Sequence, residues 1–104
     1  MSQEMLSLLP RHWIHSHEED SGNQMVFRPS GYAFPRSRGR QEFRLDTGGN
    51  LESTRPGPAD KRVSSAGTWS VEPGGTLIIH PEGAEALRFS IVSVDNEKLV
   101  VKRQ

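Results

Sequence analysis

Turn-forming clusters recur along this chain roughly every ten residues, and that spacing constrains the fold more than any other feature. They fall at Ser21-Gly22-Asn23, Pro29-Ser30-Gly31, Thr47-Gly48-Gly49-Asn50, Arg55-Pro56-Gly57-Pro58, Pro73-Gly74-Gly75, Pro81-Glu82-Gly83 and Asp95-Asn96-Glu97. The runs between them are too short for a helical core and alternate with period two. They predict eight strands, at 12–18, 24–28, 41–45, 50–54, 67–72, 76–80, 86–94 and 98–102. Most links are short, so neighbours in sequence are expected to pair antiparallel. The predicted fold class is all-β, with the sheet closed on itself so that no edge is left bare.

Alternation assigns a face to each side chain. Phe43 and Leu45 share one face, as do Trp69 and Val71, Leu87, Phe89 and Ile91, and Leu99 and Val101. One apolar face per strand means one core. The hydrophobic fraction is only 33%, so that core is expected to be thin and built on Trp13, Phe27, Tyr32, Phe34, Phe43, Trp69 and Phe89. The length of 104 residues fits a single domain over 1–104. Residues 2–9, ended by Pro10, suit a short N-terminal helical turn that covers one mouth of the barrel. Two connections, 29–40 and 55–66, are longer than a hairpin needs.

Composition excludes several classes of function. Lys plus Arg number 13 and Asp plus Glu number 13, so there is no overall attraction to nucleic acid or an anionic membrane. With no cysteine, disulfides, zinc-thiolate sites and thiol catalysis are out. No segment has the roughly 20 apolar residues of a membrane span, and the first residues lack the layout of a signal peptide. A cytoplasmic location is the corresponding expectation. Phosphate-loop, dinucleotide, nucleophile-elbow and zinc-protease motifs are absent. No cofactor is expected.

Trp13 stands near the start of the first strand, and Gly67-Thr68-Trp69 opens a middle one. Then come Gly74-Gly75-Thr76-Leu77-Ile78-Ile79, Leu87-Arg88-Phe89-Ser90-Ile91-Val92-Ser93-Val94 and Lys98-Leu99-Val100-Val101. Over most of residues 10–103 this pattern is similar to the lipocalin-like (calycin) group of small bacterial domains. The resemblance implies an eight-stranded up-and-down barrel that holds a small apolar or amphipathic molecule. A barrel of that size can equally be filled by its own side chains.

Three groups of residues are candidates for chemistry. His15 and His17 are two apart, so a strand would put them on one face with Trp13, where a third ligand such as His80 or His12 would make a metal site. The blander reading is a pair of hydrogen-bonded polar residues. The segment 27–40 holds Arg28, Arg36, Arg38 and Arg40 with Tyr32 and Phe34 and no acid. Guanidinium groups suit a carboxylate or phosphate. The alternative is a structural clasp, in which these arginines pair with Glu18, Glu19, Asp20 and Glu42. Asp60 is read as a turn residue that accepts backbone N–H bonds.

The first functional reading is a non-catalytic binding module, with a pocket lined by Trp13, Phe43, Trp69 and Phe89 and an acid head group held by the arginine segment. The second is a protein-interaction module or homodimer using residues 27–40. A metal-assisted enzyme through His15 and His17 ranks last.

Overall fold

In a computed structural model of the chain, residues 7–36, 40–56 and 62–104 are described. They form β1 (His12–His15), β2 (Gln24–Pro29), β3 (Glu42–Leu45), β4 (Asn50–Pro56), β5 (Arg62–Glu72), β6 (Thr76–Pro81), β7 (Leu87–Val94) and β8 (Leu99–Arg103). A single 3-10 turn, His17–Glu19, lies between β1 and β2. All eight strands pair antiparallel into a closed barrel, in the ring order β1-β2-β8-β7-β6-β5-β4-β3.

The expected all-β barrel is therefore present, with one connection that is not a hairpin. β1 lies between β2 and β3, so the link from β2 to β3 crosses it. This link is the long 29–40 connection noted in the sequence. It leaves beside the start of β1, where Ser30 N–H donates to His12 O, and returns at the far end, where His15 N–H donates to Gln41 O. β1 has only four residues, because the chain bends into the 3-10 turn after Ser16. The strand expected over 12–18 therefore ends at His15.

The register follows from the alternation. Residues opposite each other on the inner face are apolar: Trp13 with Phe43, Phe27 with Leu99, Leu45 with Leu51, Trp69 with Ile79, and Leu77 with Phe89. Leu9, Trp13, Phe27, Phe43, Ile79, Leu99 and Val101 are among the buried residues of one continuous cluster. Two turns are fixed by aspartates. Asp46 Oδ1 accepts from the N–H groups of Gly48 and Asn50. Asp95 Oδ1 does the same for Glu97 and Lys98. These bonds hold both carboxyls below the usual carboxylate range. The corresponding reading of Asp60 lies outside the described residues.

A bulge between Ile91 and Ser93 shifts the register of β7 on β8 and leaves Val92 exposed. Val26 and Val100 face each other on the outer side of the barrel, yet both are only 7% exposed. The β1–β2 connection folds against them, with Ser16 N–H donating to Val26 O and Val26 N–H donating to Asp20 Oδ1.

Most of the expected N-terminal helical turn falls outside the described residues; Ser7 and Leu8 are its described helical part. Leu9, just after it, is wholly buried and accepts a hydrogen bond from Trp13 Nε1–H at 2.9 Å. The turns at 46–49, 73–75 and 95–98 lie at this same end of the barrel, and Trp69 Nε1–H donates to Asp46 O there. That end is closed.

Candidate functional site

The inner face changes character along the barrel axis. On β4 the inward positions run Leu51, Ser53, Arg55; on β8 they run Leu99, Val101, Arg103; into β3, read backwards, they run Leu45, Phe43, Gln41. On all three the residue toward the closed end is apolar and the residue toward the other end is arginine or glutamine, with Ser53 polar between them on β4. Arginine and glutamine side chains cannot fill a dry interior without partners, so the packing stops where they begin.

What remains is a half-open cleft of about 600 Å³ at that end. Phe89 and Leu87 form its apolar part, and Gln41, Arg55, Arg103 and Gln104 are among its polar lining. Phe89 is 4% exposed and Leu87 39%, so apolar surface grades from the core out to the opening. The volume is within the range of small-molecule sites.

The residues singled out from the sequence are distributed differently. Phe89 lines the cleft. Trp13 and Phe43 are buried in the core, and half-buried Trp69 packs against it. Tyr32 and Arg36 are exposed, and Arg38 lies outside the described residues.

His15 points inward against Phe27, with ring centroids 5.1 Å apart, and its Nε2 lies 2.9 Å from Asp20 Oδ2. His17 stands in the 3-10 turn, not on β1, with its Nε2 3.7 Å from Glu18 Oε2. The shared strand face for two imidazoles is therefore not formed. Among the described residues, no group of three His, Asp or Glu side chains is placed to hold a metal ion.

Arg28 and Arg40 form the clasp. Arg28 Nε and Nη2 donate to the two carboxylate oxygens of Glu19 at 2.8 and 2.5 Å. Arg40 Nη1 and Nη2 donate to those of Glu18 at 2.8 and 2.5 Å. Each guanidinium also lies over an aromatic ring of the crossing connection, Arg28 over Tyr32 and Arg40 over Phe34. Arg40 further donates to His15 O and Pro35 O. The β1–β2 connection and the β2–β3 crossing are thereby tied together outside the barrel.

The hydrogen bonds from Arg40 and Arg28 bring the Glu18 and Glu19 carboxyls from 4.5 down to about 2. A depressed folded pKa contributes stability that is present above the unfolded value and lost as pH falls through the folded one. The melting temperature is therefore expected to drop as pH falls from about 4.5 toward 2. In an Arg28→Ala plus Arg40→Ala variant, which lacks both pairs, the drop should be shallower. Equal slopes in thermal melts across that window would contradict this role for the clasp.

Gln41, Arg55 and Arg103 are not among the candidates read from the sequence, and Leu87 enters there only as an inward-facing strand residue. Gln41 and Arg103 lie two residues beyond Phe43 and Val101, so following that parity to the strand end points into the barrel; no face is assigned on the strand that leads to Arg55.

A second concavity, of about 240 Å³, lies on the outer face of β3, β4 and β5 and is lined by polar side chains including Glu42, Arg44, Glu52 and Thr54. It has no apolar floor.

No helix of the described residues is long and apolar enough to cross a membrane. Comparison with curated proteins and with solved structures gives no match. Comparison with family models matches residues 12–101 to the lipocalin-like domain. The match begins at the first residue of β1 and ends within β8, so it takes in the closed ring and the interior described above. On that match and this architecture, the chain belongs to the lipocalin-like domain family.

Proposed function

We propose that the protein binds a small apolar or amphipathic molecule in the cleft at its open end, without converting it chemically. The observation that carries this is the coincident change on β3, β4 and β8 from apolar to polar inward positions, above a floor of Leu87 and Phe89. An apolar floor with a polar rim suits a ligand with one dry and one wet part. The polar lining consists of arginine and glutamine, which do not exchange protons near neutral pH. That favours binding over acid–base chemistry. Because the closed end is packed by Trp13, Leu9 and Leu45, the ligand sits at the mouth and not along the whole barrel axis.

The test is titration with N-phenyl-1-naphthylamine, a neutral dye whose emission rises in apolar surroundings. Saturable binding with one site per chain is expected. Leu87→Lys should weaken it by about tenfold or more, the effect of losing a buried side chain's worth of contact. Leu87 is 39% exposed, so the variant should remain folded. Absence of saturable binding, or an unaltered affinity in Leu87→Lys, would overturn the proposal.

A further inference from the structure

We infer that the ligand carries a compact anionic head, a carboxylate in the simplest case, and that Arg55 and Arg103 hold it from opposite sides of the mouth. This inference rests on the reading of the cleft as a binding site.

The ring order supplies the geometry. β4 and β8 are separated by three strands, β5, β6 and β7, on one side and by β3, β1 and β2 on the other. They are diametrically opposed, yet Arg55 of β4 and Arg103 of β8 line the same cleft. A head group between them is approached by a guanidinium from each side, an arrangement that suits the two oxygens of a carboxylate.

Local charge supplies the sign. The chain as a whole is balanced, but the cleft lining holds three arginines and no acid. One of the three, Arg88, is paired with Glu72. Arg55 and Arg103 have no acidic partner among the described residues. The arginines of segment 27–40 that also looked suited to an anion, Arg28 and Arg40, are occupied by Glu19 and Glu18. Two cations lining one cleft repel, and an anion between them removes that repulsion while its tail covers Leu87 and Phe89.

The experiment compares decanoate and decyltrimethylammonium below their micelle concentrations with decanol below its solubility limit, by direct calorimetry and by displacement of N-phenyl-1-naphthylamine. Decanoate is expected to bind about tenfold or more tighter than decanol, the scale of a charge-assisted hydrogen bond. Decyltrimethylammonium should bind more weakly than either. The ratio of decanoate to decanol affinity should shrink as salt is raised and fall to about one in Arg55→Gln plus Arg103→Gln. Both positions are exposed, so the double variant should fold, and a thermal melt like the parent's verifies it.

Equal affinity for decanoate and decanol, or an advantage that survives the double variant, overturns the anionic head while leaving the binding site in place. Tighter binding of the cation does the same. Failure of the dye and all three amphiphiles to bind overturns both readings.

Discussion

Trp13→Ala is expected to cost about 3–5 kcal/mol of stability, the range for deleting a large buried aromatic side chain. Trp13 is wholly buried and stands opposite Phe43 on the inner face. Its Nε1–H also ties the wholly buried Leu9 to the barrel. Alanine there opens a void and releases the segment that closes this end. The neighbours around the void are themselves fixed by strand pairing on both sides of β1. A chain of this length has about 5–15 kcal/mol in total, so the variant should be marginal, melting roughly 15 °C or more below the parent. Trp13→Phe keeps most of the volume and loses the Leu9 bond, so it should fall between the two. Equilibrium denaturation of all three chains checks this. A loss for Trp13→Ala no greater than that of an exposed substitution would mean that the barrel is not packed there.

Gly67→Ala is expected to be the other severe change, although it adds a single methyl group. Gly67 pairs with Pro81 across β5 and β6 and with Leu51 across β4 and β5. A Cβ at position 67 would lie 2.2 Å from His80 O and 2.8 Å from Pro81 Cα. Both are backbone atoms of a paired strand, so no rotamer change relieves the overlap. β5 and β6 must separate where β6 ends, next to the cleft. A cost of about 2–4 kcal/mol follows, at the upper end for overpacking. Gly48→Ala is the matched control: its Cβ would meet only ordinary contacts at 3.5 Å, and its cost should stay within about 1 kcal/mol. Similar destabilisation by the two substitutions, measured in urea, would contradict the close approach of β5 to β6.

Much of the fold was legible because it depends on local chemistry. Turn residues mark each strand end, and alternation places Phe43, Leu45, Trp69, Phe89, Leu99 and Val101 inside. What was not legible depends on pairing between distant segments. Nothing local to β1 says that β3 will pair on its far side, and that exchange turns segment 27–40 from a rim loop into a crossing strapped across β1. Its arginines looked available because the nearest acids in sequence, Glu18 and Glu19, are brought to them only by the fold. His17 lost its place beside His15 because β1 stops at the 3-10 turn. β5 begins five residues before its predicted start, since Val63 to Ala66 carry a weak apolar signal but pair in register with β4.

The cleft was missed for a related reason. Its arginines are scattered, Arg55 beside a Pro-Gly cluster and Arg103 near the C-terminus, and only ring closure brings β4 and β8 to face each other. Of the four aromatics expected to line a pocket, Phe89 does so, because it sits where the packed interior gives way to the polar rim.

Among the described residues, one end of the barrel is packed shut and the other carries the cleft. The most direct measurement is a map of backbone amide chemical shifts on titration with N-phenyl-1-naphthylamine. With the ligand in the cleft, shifts are expected to concentrate at Gln41, Arg55, Leu87, Phe89 and Arg103, with Leu9, Trp13, Leu45 and Trp69 unmoved. Shifts centred on Trp13 and Trp69 instead, or spread evenly over the surface, would contradict it.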